Sequence, residues 1–265
     1  MYYSHIFVDP KNDDIVYLLA TNFYRTVNKG KTFNEMPTRP TYDVGVHSDH
    51  HTLWINPTNS KHFYLAGDAG LHETWDYGKS YNRLNNIPIG QFYGIGVDMD
   101  IPYNIYGGMQ DNHSWVGPSA TRHWLGILSD DWRQIGFGDG MYQQPAPKSS
   151  ILYNATQNGN IVRVDRKTGN IQGIKPFSAD PNDKNRYYLV TPILLSKQSP
   201  NRVYLGGNRL FISNNGGESW SKTKDLTKAI NRDSLAIMGV LGVDTKISRN
   251  DGTSSYGEII SMDES

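Results

Sequence analysis

The chain has 265 residues, with 26 Lys and Arg against 26 Asp and Glu, no Cys, and 37% hydrophobic residues. A formal net charge of zero argues against a nucleic-acid or anionic-membrane partner, and the lack of Cys excludes disulfides, thiol nucleophiles and Cys-ligated metals. No apolar run approaches the roughly 18 residues that a membrane helix needs, so we expect a globular chain without a membrane span.

The strongest pattern is an internal repeat, in which a turn precedes a short apolar strand that carries a tyrosine. The five tyrosines are Tyr17, Tyr64, Tyr106, Tyr153 and Tyr204. They are spaced 47, 42, 47 and 51 residues apart, which is a period of about 47. The repeats consist of short β-rich runs separated by Gly and Pro, without apolar residues at helical spacing. They therefore predict an all-β fold, a β-propeller with about five blades.

A second element, an eight-residue turn, follows the tyrosine strand in three of the five repeats. It reads Ser/Thr-x-Asp/Asn-x-Gly-x-Thr/Ser-aromatic and occupies residues 26–33, 74–81 and 213–220. Its third residue is Asn28, Asp76 or Asn215, and such side chains tolerate positive φ and accept hydrogen bonds from nearby amides. We therefore expect these three residues to be structural hairpin residues rather than catalytic ones. A degenerate copy is expected at 165–169, whereas the copy near Arg122 has lost the signature.

The repeats predict five blades, at about 4–37, 51–88, 92–135, 140–177 and 187–223. Residues 224–255 are expected to form a helical and loop insertion, with a helix over 225–238, and residues 256–265 to begin a further blade. The sequence opens without a basic or apolar leader and stops after a strand-like segment. We therefore expect an incomplete ring or part of a larger propeller, an internal fragment of a longer parent chain that supplies the remaining blades.

The eight-residue turn resembles the Asp-box, or BNR repeat, of sialidases, xyloglucanase-like glycosidases and sortilin-type receptors. Further segments resemble large bacterial BNR-repeat proteins of glycosyl-hydrolase-like or sortilin N-terminal-like type, at 46–55, 91–93, 106–112, 138–140, 209–213, 237–239 and 248–252. The resemblance implies an extracytoplasmic or secreted propeller that binds or hydrolyses a polysaccharide at its channel mouth. The alternative that it implies is a non-catalytic, sortilin-type propeller that binds a peptide or protein.

The segment 47–51 places three imidazoles and a carboxylate immediately before the inner strand of the second blade. Imidazole and carboxylate ligands suit zinc or manganese, but adjacent residues of a strand, here His50 and His51, point to opposite faces. We therefore predict no metal or other cofactor, and interpret Asp49, His50 and His51 as substrate-binding residues. Metal ligation and structural hydrogen bonding remain the alternatives for this segment.

The segment 106–115 combines polar side chains with aromatic ones, as sugar-binding sites do. Gln110 and Asn112 can form hydrogen bonds with hydroxyl groups, while Trp115 and Trp124 can stack on a pyranose face. We predict all four as substrate-binding residues. The alternative is a polar loop above a buried tryptophan.

Asp139 lies between two glycines, where a carboxylate can project into a cleft. Two carboxylates about 6.5–9.5 Å apart suit inverting glycoside hydrolysis, with one acting as acid and the other as base. We predict Asp139 and Asp111 as the catalytic pair, with Asp49 as the substitute. The alternative for Asp139 is a structural role in a turn.

Two departures from the resembling enzymes leave catalysis open. The Gly-Asp-Gly at 138–140 is similar to one acid segment of xyloglucanases, but Asn22 stands where the other acid is expected. An amide cannot serve as a general acid or base. The Arg-Ile-Pro signature of sialidases is absent from the sequence, so we expect no sialidase.

Overall fold

The computed structural model describes residues 5–37, 46–68, 70–84, 89–228, 231, 233–245 and 257–265. Within these residues the regular structure comprises five four-stranded antiparallel sheets, one two-stranded hairpin and three 3-10 helices of three residues each. Each four-stranded sheet is a meander whose strands follow chain order, as in a propeller blade. The predicted all-β class, a propeller with about five blades, is confirmed.

The contacts divide the chain into two compact units, Met1–Gly90 and Gln91–Ser265. The first unit holds two sheets. The strands of the first sheet are β1 (His5–Asp9), β2 (Asn12–Leu19), β3 (Phe23–Thr26) and β4 (Asn34–Glu35). Those of the second sheet are β5 (His50–Ile55), β6 (Phe63–Gly67), β7 (Gly70–Thr74) and β8 (Asn82–Arg83).

The second unit holds the other three sheets. The third sheet contains β9 (Phe92–Val97), β10 (Asn104–Met109), β11 (Ser114–Pro118) and β12 (Arg133–Gly136). The fourth contains β13 (Gln143–Pro145), β14 (Ile151–Ala155), β15 (Ile161–Asp165) and β16 (Ile171–Gly173). The fifth contains β17 (Ile193–Leu195), β18 (Val203–Gly206), β19 (Leu210–Ser213) and β20 (Ser221–Lys222).

Each unit has its own apolar core, built from the alternating residues of its strands. In the first unit the rings of Tyr17 and Phe23 stack 5.6 Å apart, and Phe63 packs against both. In the second unit Leu205 and Phe211 are fully buried between the fourth and fifth sheets. Burying a side chain of this size contributes about 1.5–3 kcal/mol, so these contacts hold neighbouring sheets of one unit together.

The five repeat tyrosines occupy the same strand of their sheets. The second strands β2, β6, β10, β14 and β18 carry Tyr17, Tyr64, Tyr106, Tyr153 and Tyr204 in that order. Their burial differs, because only the first, third and fourth are buried. The hydroxyl groups of the half-buried Tyr64 and Tyr204 donate hydrogen bonds to Glu73 and Glu264, both at 2.8 Å.

The three eight-residue turns share one hydrogen-bond pattern, and each joins the third strand of its sheet to the fourth. In the second sheet, Thr74 Oγ1 donates to Asp76 Oδ1 at 2.9 Å and accepts the amide of Gly78 at 3.0 Å. Asp76 also accepts the Ser80 amide and hydroxyl, and these bonds, the hydroxyl first, lower the pKa of Asp76 to about 2. Asn28 and Asn215 make the corresponding bonds in the first and fifth sheets.

The segment after the fifth sheet differs from expectation. Within the described residues of 225–238 no α-helix forms; Ala236–Ile237 instead pairs with Val240–Leu241 as a two-stranded hairpin. The reason is local, since Met238 and Gly239 both adopt positive φ, as a two-residue hairpin turn requires. Residues 257–265 carry no assigned strand, although the amide of Ile259 donates to the Gly207 carbonyl. The segment 248–252 lies outside the described residues.

Candidate functional site

The two predicted catalytic residues lie on neighbouring loops of the second unit. The β10–β11 loop (residues 110–113) and the β12–β13 loop (residues 137–142) leave the same end of the third sheet, because Ser114 pairs with Gly136. The backbone amide of Asp111 donates a hydrogen bond of 2.8 Å to Oδ1 of Asp139. The structure thus brings these two residues together, through a side-chain carboxylate and a backbone amide.

Backbone geometry explains why the two loops fit against each other. Asp111 and His113 have φ values of 55° and 67°, and the amide of Met109 closes the turn on the carbonyl of His113 at 2.8 Å. A Cβ atom at Gly108 would lie 2.1 Å from the Met141 carbonyl oxygen. The glycine therefore permits a backbone approach that any side chain would prevent.

The surroundings of this loop pair combine polar groups with an exposed ring. Phe137 is 77% exposed, and its ring meets the edge of His113 at 5.8 Å. Asn112 donates to the Gln110 carbonyl at 3.0 Å, and the Trp115 indole N–H donates to the Asn112 carbonyl at 2.6 Å. Three of the predicted substrate-binding residues are therefore part of one hydrogen-bonded loop.

Phe137 was not among the residues predicted from the sequence. Its signal is the pattern Gly136-Phe137-Gly138, in which an aromatic residue between two glycines lacks neighbouring side chains that could cover it. Gly138 has a φ of 69°, so the backbone turns directly after the ring. In this segment only Asp139, two residues after the ring, was predicted as a site residue.

Trp124 lies at the other end of the third sheet. It is 86% exposed on the connection between β11 and β12, whereas the loop 110–113 precedes β11. The five residues of β11 separate the two ends by roughly 15 Å. The connection that carries Trp124 therefore begins and ends at the end of the sheet opposite to Asp111 and Asp139.

The histidine segment belongs to the first unit and divides between two environments. His50 is 1% exposed against the ring of Phe23, and burial lowers the pKa of His50 to about 4. His51 instead places its Nε2 atom 2.6 Å from Oδ1 of Asp68. The two imidazoles thus take part in different contacts, one in the core and the other in a polar pair.

Asp49, the substitute acid, lies in the connection that precedes β5. It adopts a φ of 69°, and its amide donates to the Thr21 carbonyl at 2.9 Å. Its own carbonyl accepts the amide of Asp68 at 3.2 Å, and a Cβ atom at Gly67 would lie 2.5 Å from that carbonyl oxygen. The backbone of Asp49 therefore positions the turn that carries Asp68.

None of the helices among the described residues is long and apolar enough to cross a bilayer. No protein-family model matches the sequence, and no curated protein matches it.

The chain is similar to several solved structures at low sequence identity. It is 15% identical to YCF48 bound to a D1 peptide, with a TM-score of 0.38, over 82% of this chain and 65% of that chain. It is 17% identical to the GH74 xyloglucanase from Xanthomonas campestris, with a TM-score of 0.36, over 84% of this chain and 38% of that chain. It is also 17% identical to the Niastella koreensis GH74 enzyme, with a TM-score of 0.35, over 91% of this chain and 40% of that chain. The chain thus spans less than two thirds of each of these proteins.

Proposed function

We propose that this chain is part of an Asp-box propeller that binds a polysaccharide through its loops 110–113 and 137–142. The observation that carries the proposal is the hydrogen bond from the Asp111 amide to the Asp139 carboxylate, which orders two polar loops beside the exposed ring of Phe137. Amide and carboxylate groups can pair with sugar hydroxyls, while an aromatic face can cover the apolar face of a pyranose. The parent protein is extracytoplasmic or secreted and contributes further blades.

Glycoside hydrolysis is the second candidate, because two carboxylate residues lie on these facing loops. Inverting hydrolysis needs one carboxyl group as acid and one as base on opposite sides of the scissile bond. The carboxylate of Asp139 already accepts a hydrogen bond from the Asp111 amide. Because this bond gives Asp139 a structural role, we favour binding over hydrolysis. Binding is therefore our first proposal.

Affinity electrophoresis through gels that contain soluble β-glucans tests the binding proposal. The wild-type chain should be retarded. Phe137→Ala should weaken the retardation about tenfold, because the face of this ring contacts the sugar while the ring contributes little to the packing of the fold. Tyr103→Ala is the matched control, since Tyr103 is 48% exposed and precedes β10, at the end of that strand opposite the loop 110–113. Equal retardation of the Phe137→Ala variant and the wild type would overturn the proposal.

Release of reducing ends from the same glucans tests hydrolysis. Asp139→Asn keeps an oxygen that can accept the Asp111 amide but removes the titratable carboxyl group. If the chain is hydrolytic, this variant should lose activity while its melting temperature stays unchanged. Activity of Asp139→Asn equal to that of the wild type would exclude Asp139 as a catalytic residue. A full-length parent protein that releases no reducing ends would exclude hydrolysis as the function.

Peptide binding without catalysis is the remaining alternative. A peptide array probed with the same protein distinguishes it from glycan binding. Retention of peptides with no retardation by any glucan would replace the polysaccharide proposal by this one.

A further inference from the structure

A surface pocket of about 370 Å³ lies within the second unit, at the seam between the fourth and fifth sheets. One wall is the segment 172–177, which includes the end of β16, and the other is formed by residues 217–220 and Lys222 of the fifth sheet. A volume of this order is within the range of small-molecule sites. None of the residues of the candidate functional site lines this pocket.

Each wall of this seam pocket carries an aromatic ring, and a hydrogen bond fixes one of the two. The Trp220 indole N–H donates to the Ile174 carbonyl at 2.8 Å, a bond that fixes the ring across the seam. Gly217 has a φ of 93°, and a Cβ atom there would lie 2.5 Å from Ile174 Cδ1, so the side chain of Ile174 packs directly on the backbone of Gly217. Opposite, Phe177 is 90% exposed, which makes its ring available to a ligand without loss of core packing.

The charge of the lining is positive. Lys175 donates to two uncharged acceptors, the Asn158 carbonyl at 2.9 Å and Asn160 Oδ1 at 3.1 Å. Burial lowers the pKa of Lys175, and no carboxylate pairs with its ammonium group among the residues that the structure describes. Lys222 lies 2.8 Å from Asp183, a carboxylate outside the lining.

That carboxylate is shared, because Asp183 also pairs with Arg209. Among the described lining residues Glu218 is the single acid, and its carboxylate lies 3.2 Å from Nη2 of Arg163. Lys175 and Lys222 therefore carry more positive charge than these shared carboxylates neutralise. An anionic group of a ligand in the pocket would form ion pairs with the two lysines.

We propose that the seam pocket binds an acidic saccharide, with the ring of a uronate residue against Phe177 and Trp220 and its carboxylate toward Lys222 and Lys175. A pyranose buries one apolar face and keeps its hydroxyls in water, which suits a pocket whose aromatic wall is open to solvent. A charge-assisted hydrogen bond to the carboxylate supplies the preference for an acid over a neutral sugar. This site is independent of the loops 110–113 and 137–142.

Isothermal titration of the whole chain with trigalacturonate, and with maltotriose as the neutral comparison, tests the proposal. Trigalacturonate should bind more tightly than maltotriose, and its affinity should fall as sodium chloride is raised. Phe177→Ala and Lys222→Gln should each weaken binding about tenfold. Both side chains lie at the surface, so both variants should keep the wild-type melting temperature.

The controls separate this site from the polysaccharide site proposed above. Phe137→Ala should leave trigalacturonate binding unchanged, whereas Phe177→Ala should leave β-glucan retardation unchanged. Equal affinity for the neutral trisaccharide, or unchanged affinity in Phe177→Ala, would overturn the seam-pocket proposal. Tighter binding of a polyglutamate peptide than of trigalacturonate would show that the ligand class is wrong.

Discussion

Two loop pairs, one in each unit, each contain a close glycine contact and differ in the group that accepts one hydrogen bond. Gly67, at the end of β6, lies against a carbonyl of the connection before the first strand of its own sheet, whereas Gly108, near the end of β10, lies against a carbonyl of the connection before the first strand of the next sheet. In the first unit the Asp68 amide donates to the backbone carbonyl of Asp49. In the second unit the Asp111 amide donates to the side chain of Asp139.

This difference between a backbone and a side-chain acceptor shows which carboxylate forms a structural hydrogen bond. A backbone acceptor does not by itself restrict the side chain at position 49. A side-chain acceptor restricts position 139 to residues with a suitably placed oxygen. A carboxylate between glycines can therefore look catalytic in the sequence while it carries a structural hydrogen bond in the fold.

The largest effect is expected where these close glycine contacts are broken. Gly108→Ala should lower the free energy of unfolding by about 2–4 kcal/mol, because the new methyl group would meet backbone atoms that cannot move away easily. Gly67→Ala should cost somewhat less, since its contact distance would be 2.5 Å rather than 2.1 Å. Urea denaturation measures both changes.

Gly173→Ala is the control for these two variants, because no atom lies within 4 Å of the Cβ position there. Its effect on the free energy of unfolding should stay within about 1 kcal/mol. If Gly108→Ala were no more destabilising than this control, the proposed close approach of the two loops would be wrong.

The next largest effect is expected from substitutions at Asp139, whose side chain accepts the hydrogen bond in the second loop pair. Asp139→Ala removes the partner of the Asp111 amide and should cost about 1–2 kcal/mol of stability, whereas Asp139→Asn should stay within about 0.5 kcal/mol. Asp49→Asn in the first loop pair should also be nearly neutral, because asparagine keeps the backbone carbonyl and an oxygen that can accept the Ser48 hydroxyl. Urea denaturation again measures the changes, and equal losses for Asp139→Ala and Asp139→Asn would contradict the assigned role.

The sequence predicted the parts of the molecule that depend on local chemistry. The tyrosine spacing and the Asn or Asp with Gly of each eight-residue turn determine short-range structure, and these features were sufficient for the fold class. The acceptor role of Asp139 was not accessible, because its partner is a backbone amide 28 residues earlier. Trp124 was grouped with Trp115 by proximity in sequence, although Trp115 lies near the start of β11 and Trp124 on the connection that follows that strand.

A third prediction concerns acid sensitivity, which distinguishes the first loop pair from the second. Burial lowers the pKa of His50 from 6.5 to about 4, so between these values the unfolded chain binds more protons than the folded one. The free energy of unfolding should therefore fall as pH is lowered from about 6.5 to 4. His72, also buried with a pKa of about 4, adds to the same decline.

His50→Leu should flatten part of this decline, because leucine can fill the buried position without a group that titrates. Thermal unfolding between pH 7 and pH 4, at about unit steps, measures the slope for both proteins. His123→Gln is the control, since His123 is an exposed histidine on the connection between β11 and β12. An identical slope for His50→Leu and the wild type would contradict the assignment of a buried, neutral His50.

The smallest effect is expected from the eight-residue turn of the second sheet, where a carboxylate stands in the place that Asn28 and Asn215 occupy elsewhere. Asp76→Asn keeps the acceptor oxygen, so its stability at neutral pH should stay within about 0.5 kcal/mol of the wild type. The pKa of Asp76 is lowered from 3.8 to about 2, mainly by the Ser80 hydroxyl, so this stabilisation is present above about pH 4 and is lost toward pH 2. Thermal unfolding should therefore show the wild type losing stability relative to Asp76→Asn over that range. Parallel pH profiles would mean that the charge of Asp76 contributes nothing beyond the oxygen that it shares with asparagine.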